Sequence, residues 1–317
     1  MAEKIATREA YGDALVELGK TYDNVVVLDA DLAEATKTVK FKKAFPDRFF
    51  DCGIAEGNMV AVAAGLAASG MAPYVSSFAM FAAGRAFEQV RNTVGYPHLN
   101  VKIGASHAGI TVGEDGATHQ CLEDIALMRT IPGMTIINPA DAVEAKAATL
   151  ASYQIDGPCY MRFGRMAVPV IYDASSYRFE LGRGLVMTGG EDVTIIATGI
   201  MVGMALEAAE LLKNDGIRAR VVNMHTIKPL DKELVLRAAA ETGAIVTAEE
   251  HNIIGGLGSA VAETVAEGCP VPVLRVGVED RFGRSGKVPP LLEMYGLTVG
   301  NIVSKVKNAI ALKRKHI

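Results

Sequence analysis

The fold is decided by the stretch Asp51-Cys52-Gly53-Ile54-Ala55-Glu56-Gly57-Asn58-Met59, which places one carboxylate in front of a long apolar segment. No charged residue occurs from Met59 to Met71, and this run predicts a buried helix that Glu56 opens. A buried carboxylate is costly unless it is paired or protonated. Two interpretations are open: Glu56 complements the positive end of the helix dipole, or it serves a reaction that needs a proton.

Outward from this helix, the sequence alternates between strand-like and helix-like patterns. The run Asn24 to Asp29 is rich in valine, as is typical of a parallel strand. Strand patterns recur at residues 72–77, 101–105, 134–138 and 159–162, and helical spacings at residues 5–18, 79–92, 122–129 and 142–151. This alternation predicts a doubly wound parallel sheet, with ligands beyond the carboxyl ends of its strands.

A second α/β unit follows a stretch that interrupts the alternation. Residues 166–192 contain Pro169, two serines and several glycines, which predicts an interdomain linker. Strand patterns then appear at residues 193–197, 219–223, 244–248 and 271–276, with helical spacings between them. We predict an α/β protein of two doubly wound domains, residues 1–165 and 193–317, each a mainly parallel sheet flanked by helices. We interpret the second domain as chiefly an assembly element.

Composition limits the classes of function. The chain has 317 residues, enough for about two domains, and 50% of them are hydrophobic. The net charge of -4 and the lack of a basic stripe argue against a nucleic-acid partner. Four scattered cysteines predict reduced thiols. The run of about 18 apolar residues that a membrane span needs is absent, and no leader pattern opens the chain, so we expect no membrane partner and a cytoplasmic location.

A second motif lies downstream of Glu56. It reads Ser106-His107-Ala108-Gly109-Ile110-Thr111-Val112-Gly113-Glu114-Asp115-Gly116-Ala117-Thr118-His119-Gln120, followed by Arg129-Thr130-Ile131-Pro132 and Asn138-Pro139-Ala140-Asp141. Together with the Glu56 stretch, it resembles the transketolase family. The similarity runs over nearly the whole chain, in the order of that family's C-terminal half. It implies a split transketolase, with the pyrimidine-binding and C-terminal domains on a chain of their own.

For the cofactor, the resemblance implies thiamine diphosphate. Glu56 matches the catalytic glutamate that contacts the pyrimidine nitrogen and so promotes loss of the thiazolium C2 proton. Phe78 and Phe81 match two aromatic residues that stack on the pyrimidine, although both also fit as ordinary core residues. Asp31 matches an aspartate that approaches the thiamine, or it is a turn residue. The family's third aromatic residue falls on Gly84 here.

For the substrate, the resemblance implies a sugar phosphate. His107, Asp115 and His119 match the donor site, where they would bond ketose hydroxyls. His107 and His119 would also help to move protons as catalytic residues. Arg8 and Arg165 match the positions that bind the terminal phosphate, a task that suits the guanidinium fork.

In the substrate region, three residues depart from the family pattern. Ala35 replaces a serine in the loop after Asp31, and His107-Ala108-Gly109 replaces the usual His-Asp-Ser. These departures leave the cofactor chemistry in place but leave the identity of the substrate and its phosphate length open. The histidines and aspartate of the second motif lack a known ligand spacing, so we expect no metal ligands in it.

The diphosphate end of the cofactor needs a second chain. In the family, a Gly-Asp-Gly motif followed by Asn places oxygen ligands around Mg²⁺, and this sequence contains no Gly-Asp-Gly. The resemblance implies a partner equivalent to the N-terminal half of transketolase, which holds the diphosphate and the divalent ion. We expect a glycolaldehyde transferase of the pentose phosphate pathway, active only with that partner, in an α2β2 heterotetramer whose interface lies near Glu56, Phe81 and the loop after Ala105.

Three other functions remain open. The β subunit of a 2-oxoacid dehydrogenase has this length and a site glutamate, but usually lacks the string Asp115-Gly116-Ala117-Thr118-His119-Gln120. A 1-deoxyxylulose-5-phosphate synthase shares Gly53-Ile54-Ala55-Glu56, but is normally one long chain. The non-enzyme alternative is a catalytically silent regulatory subunit. The intact Glu56, His107 and His119 argue against it.

Overall fold

The computed structural model describes residues 3–313, so the basic end Arg314-Lys315-His316 lies outside the described residues. In the first half of the chain, strands and helices alternate as predicted. The strands are β1 Lys4–Ala6, β2 Val25–Asp29, β3 Phe49–Asp51, β4 Ala72–Phe78, β5 Lys102–Ser106, β6 Thr135–Ile137, β7 Cys159–Arg162 and β8 Ala167–Pro169. The helices are α1 Thr7–Thr21, α2 Ala33–Thr36, α3 Val39–Ala44, α4 Glu56–Ala68, α5 Phe87–Gln89, α6 Asp124–Arg129 and α7 Ala142–Ser152.

The second half continues the alternation with longer helices. Its strands are β9 Leu185–Thr188, β10 Val193–Ala197, β11 Ala219–Asn223, β12 Thr226–Lys228, β13 Ile245–Asn252 and β14 Val273–Val278. Its helices are α8 Met201–Asn214, α9 Lys232–Thr242, α10 Leu257–Gly268, α11 Val288–Met294 and α12 Val299–Lys313. Among the described residues, no helix has the length and apolar character to cross a membrane.

A seven-stranded sheet, in the order β12-β6-β7-β5-β4-β2-β3, forms the centre of the first domain. Its strands pair in parallel except for β12, which is antiparallel to β6. All five residues of β2 are buried, as expected for a parallel strand covered by helices on both faces. Because β12 comes from the second half of the chain, the two halves share this sheet.

A five-stranded sheet, in the order β14-β13-β10-β11-β9, forms the centre of the second domain. Its pairs are parallel except for β9 on β11, so the prediction of two mainly parallel sheets is confirmed. Residues 166–192, predicted as the linker, contain β8, which pairs with β1, and β9. The short β8 ends in Pro169, a residue that sheets admit at edges. The boundaries at residues 165 and 193 remain predictions.

Two segments near the site differ from the predicted elements. Residues 79–92 were predicted as one helix, but the structure has π-helical turns at Met80–Arg85 and Val90–Gly95, with α5 between them. The wider turn is visible in the bond from the Ala86 N–H to the Phe81 carbonyl, at 3.1 Å. Such turns often occur at functional sites. Strand β13 also continues beyond Ala248, so Glu249 and Glu250 lie within the sheet.

Candidate functional site

The carboxyl ends of β2, β4 and β5 meet at one edge of the first sheet. Strand β2 leads into Asp31, β4 ends at Phe78, and β5 leads into His107. Glu56 opens α4 just beyond the end of the neighbouring β3. Parallel strands therefore bring residues from distant parts of the sequence to one place, as the doubly wound fold predicts.

Glu56 is the buried carboxylate of this edge. Its side chain is 1% exposed and stands at the first position of α4. Arg85 donates from Nη1 to both Oε1 and Oε2 of Glu56, each at 3.0 Å. The Arg85 guanidinium also lies over the Phe81 ring, 4.4 Å from its centroid, and its side chain is 52% exposed. The glutamate is thus paired, and its partner borders solvent.

Aromatic rings line the site beside this ion pair. Phe78 and Phe81 are stacked, with centroids 6.0 Å apart and planes inclined by 17°. The imidazole of His107 stacks on Phe78 at 3.8 Å. His119, which is partly buried, meets the Phe81 ring edge-on at 5.3 Å. The two phenylalanines therefore lie between the Glu56–Arg85 ion pair, which contacts Phe81, and the two histidines of the second motif.

Gly84 stands where the family has its third aromatic residue. The terminal methyl group of Met80 occupies the position that a Cβ at residue 84 would take. Met80 lies one π-helical turn earlier, between the two phenylalanines in sequence. The flexible thioether side chain of Met80 therefore fills the space beside Gly84.

His107 is held in one protonation state. It is buried and has a left-handed backbone, with φ of 56°. Burial lowers the pKa of His107 to about 3, and the charges of Arg8 and Arg165 act in the same direction. Arg8 Nη1 lies 3.4 Å from Nε2, and Ser106 Oγ lies 2.9 Å from Nδ1. Because a guanidinium only donates, Nε2 accepts and the proton resides on Nδ1.

The two arginines predicted to bind phosphate lie at the same edge. Arg8 donates to the carbonyl oxygen of Ala35 at 2.6 Å, and Arg165 donates to the carbonyl oxygen of Val112. The pKa of Arg8 is lowered, mainly by burial, and the charge of Arg165 contributes. The buried Nε of Arg8 has no hydrogen-bond partner within the described residues. The alanine at position 35 thus contributes its backbone where the family offers a hydroxyl.

The two predicted aspartates are exposed at the rim of the site. Asp31 has a left-handed backbone and shortly precedes α2, whose Ala35 contacts Arg8. Asp115 ends the short helical segment 110–115, whose Val112 contacts Arg165. Within residues 3–313, no group of three or more His, Cys, Asp or Glu side chains is placed to hold a metal ion.

Beneath Asp31, a buried carboxylate organises the loop. Asp29 accepts hydrogen bonds from the Leu32 N–H at 2.7 Å, Thr36 Oγ1 at 2.7 Å and Thr38 Oγ1 at 2.8 Å. Burial raises the pKa of Asp29 to about 6. These bonds shape the turn that carries Asp31 and Ala35.

Sequence reasoning missed Arg85 and Asp29. An arginine that follows a helical turn is usually solvated, and nothing in the local pattern connects Arg85 with a carboxylate 29 residues earlier in the chain. Asp29 carried a usable signal, because it ends a buried strand and is followed by threonines at short spacing.

The fold and this edge define an α/β protein of two domains whose site combines a buried carboxylate, stacked rings and guanidinium groups. The chain belongs to the transketolase family: the transketolase pyrimidine binding domain matches residues 3–170, and the transketolase C-terminal domain matches residues 182–302.

Three relatives show the form that this chain takes in the family. It is 52% identical to a putative transketolase C-terminal section of Methanocaldococcus jannaschii, covering 94% of each chain. It is 48% identical to a 6-deoxy-6-sulfo-D-fructose transketolase subunit of a Clostridium species, covering 93% of this chain and 92% of that one. A solved structure described as "Split gene transketolase, inactive beta4 tetramer" is 54% identical, with a TM-score of 0.90 over 98% of this chain and 100% of that chain.

Proposed function

We propose that this chain is the pyrimidine-binding and C-terminal subunit of a thiamine-diphosphate-dependent transketolase that transfers a two-carbon ketol unit between sugar phosphates. One observation carries the proposal. A single strand-end edge brings together the buried Glu56, the stacked pair Phe78 and Phe81, and the cluster of His107 with Arg8. These groups have the chemistry that a heterocycle and an anionic sugar require. We also propose that the enzyme is cytoplasmic and that it belongs to the pentose phosphate pathway.

The residues of this edge fit the pyrimidine end of the cofactor. Thiamine diphosphate, when bound, supplies a nucleophilic carbon that carries a two-carbon unit between sugars. Glu56 offers a carboxylate with almost no access to water, suited to share a proton with a ring nitrogen. Phe78 and Phe81 present nearly parallel faces against which a flat ring packs. Asp31 completes this set at the rim.

The cluster around His107 fits a sugar with an anionic end group. Arg8 and Arg165 place two positive charges near each other, and guanidinium groups suit an anionic end group. Nε2 of neutral His107, which has only the long 3.4 Å contact with Arg8, is an acceptor that suits a substrate hydroxyl group. His119 is edge-on to Phe81, which supports a role beside both the ring and the sugar, and Asp115 precedes it at the end of the segment 110–115.

A partner chain completes the proposed site. Helix α4 is buried on one side only, while Ala61, Val62 and Gly65 face solvent as an uncharged strip. Ile54, just before α4, is 76% exposed, and Tyr96, beyond the second π-helical turn, is 89% exposed. Apolar surface of this kind marks an interface. We assign the diphosphate and its divalent ion to the partner, in an α2β2 heterotetramer, and the relative described as an inactive tetramer of β chains supports that dependence.

The test is reconstitution of both chains with thiamine diphosphate and Mg²⁺. Xylulose 5-phosphate with ribose 5-phosphate is the first substrate pair, and a ketose with a terminal sulfonate is the second, because one relative carries a sulfosugar in its name. Pyruvate with an artificial electron acceptor is the comparison reaction. Ketol transfer that needs both chains supports the proposal. Transfer by neither pair, or oxidation of pyruvate instead, contradicts it.

A further inference from the structure

The loop from His107 to Gln120, here the donor loop, rests on the second domain. Among residues 3–313, three hydrogen bonds join the two. The Thr111 N–H donates to Glu250 Oε1 at 2.6 Å, and Ser285 Oγ donates to the Glu114 carbonyl at 2.7 Å. Gln120 Nε2 donates to the Arg284 carbonyl at 3.0 Å. The second domain therefore contacts this loop at its start, its middle and its end.

Glu250 makes the deepest of these contacts. It lies in β13 and is buried, and its backbone carbonyl accepts from Arg162 at 2.9 Å. Arg162 is itself fixed by Asp124, to which its Nε donates at 2.8 Å. The strand and this ion pair together hold the Glu250 backbone in one place, through contacts that do not involve the donor loop.

The same carboxylate explains the glycine at position 109. Gly109 has φ of 84°, and a Cβ at this position would collide with the carboxylate of Glu250. A side chain there is excluded twice, by the left-handed backbone and by the occupied space. Gly109 is one of the two residues that depart from the family's His-Asp-Ser. Glycine at this position leaves room for the carboxylate of Glu250, which enters the loop from the second domain.

We propose that Glu250 is a positioning residue for the donor loop: its carboxylate, seated against Gly109 and bonded to the Thr111 N–H, sets the placement of His107. The second domain then does more than assemble the subunit. The structural part of this inference concerns the free chain, whereas its kinetic part rests on the proposed function.

Hydrogen exchange of the free chain, followed by mass spectrometry, tests the structural part. Glu250→Ala should raise exchange in peptides covering residues 107–120 about tenfold or more, because the buried hydrogen bond from the Thr111 N–H is lost. Glu250→Gln keeps an acceptor oxygen, so its exchange in these peptides should lie between that of wild type and that of Glu250→Ala. Glu249→Ala is the matched control: Glu249 is equally buried on the same strand, but accepts from the Leu257 and Gly258 N–H groups of α10, both at 2.7 Å. It should raise exchange in α10 and leave the donor loop unchanged.

Kinetics of the assembled enzyme test the remainder. Glu250→Ala should raise KM for the ketose donor about tenfold, with the glutamine variant intermediate and thiamine diphosphate binding unchanged. If wild-type chains show no ketol transfer at all, the proposed function fails while the exchange experiment still judges Glu250. The inference is overturned if donor-loop exchange is the same in Glu250→Ala as in wild type, or rises equally in Glu249→Ala.

Discussion

Arg85 Nη1 lies 3.0 Å from each carboxylate oxygen of Glu56. The relationship is asymmetric, because the glutamate is almost completely buried while half of the arginine side chain faces solvent. Arg85 therefore neutralises a charge that would otherwise be buried alone. A ring that meets Glu56 must share this carboxylate with Arg85 or displace it.

The first prediction concerns this ion pair in the free chain. Arg85→Met should lower the free energy of unfolding by about 1–3 kcal/mol, since the buried carboxylate loses its charged partner and the partly exposed site moderates the loss. Urea unfolding measures the change. Arg91→Met, an exposed arginine on the same segment, is the control. Equal effects of the two substitutions would contradict the pairing.

The second prediction concerns the charge of His107. Because burial lowers the pKa of His107 to about 3, its imidazole signal in NMR should not titrate between pH 5 and 8, and loss of the signal in His107→Gln assigns it. The unfolded chain binds a proton near pH 6.5. The stabilising contribution of neutral His107 is therefore complete above that value and is lost as pH falls towards 3. Titration near pH 6.5 in the folded chain would refute the neutral imidazole.

The third prediction concerns the buried carboxylate of Glu144. Glu144 accepts from Tyr177 at 2.5 Å and from Asn223 Nδ2 at 2.9 and 3.0 Å, and burial raises the pKa of Glu144 to about 7. The folded chain then holds a proton that the unfolded chain releases near pH 4.5. Its stabilising contribution is complete below pH 4.5 and is lost as pH rises towards 7, by up to about 1.4 kcal/mol per pH unit.

Glu144→Gln should remove this contribution, so that the unfolding free energy of the variant falls less steeply than that of wild type between pH 4.5 and 7. The neighbouring Asp141 is present in both proteins, so its own titration is common to the two slopes. Urea unfolding at several pH values measures both slopes. Identical slopes would show that Glu144 does not release its proton in this window.

The fourth prediction concerns the uncharged strip on α4. Val62→Asp should weaken association with the partner chain at least tenfold, because a carboxylate in the centre of an apolar interface loses its hydration. Leu211→Asp on α8 is a matched control, since Leu211 is a similarly exposed apolar residue of the second domain. Gel filtration of the mixed chains gives the readout. A complex formed equally well by both variants would place the interface elsewhere.

The fold was predictable because apolar runs such as residues 24–29 and the spacing of their connections specify parallel strands without reference to distant residues. The edge that carries Glu56, Phe78 and His107 followed from the same rule, since carboxyl ends of parallel strands meet. The second domain's contribution was not predictable in this way. Glu250 reaches Thr111 across 139 residues of sequence, and no local pattern encodes that contact.

Local departures from regular structure were also beyond the sequence pattern. The spacing of residues 79–92 fits an α-helix. The structure instead has a π-helical turn at Met80–Arg85, and Arg85 at its end pairs with Glu56. Gly84 and Gly109 looked like losses from the family motif. In the folded chain, the space beside each is taken by a neighbour, Met80 in one case and Glu250 in the other.

The most direct test of the account is exchange of the C2 proton of thiamine diphosphate bound to the assembled pair of chains, followed by NMR after transfer into deuterated water. The account predicts fast exchange in the wild-type complex, and exchange no faster than that of the free cofactor when Glu56 is replaced by Gln, with cofactor still bound. Exchange at the wild-type rate in the Glu56→Gln complex would contradict the central role of this carboxylate.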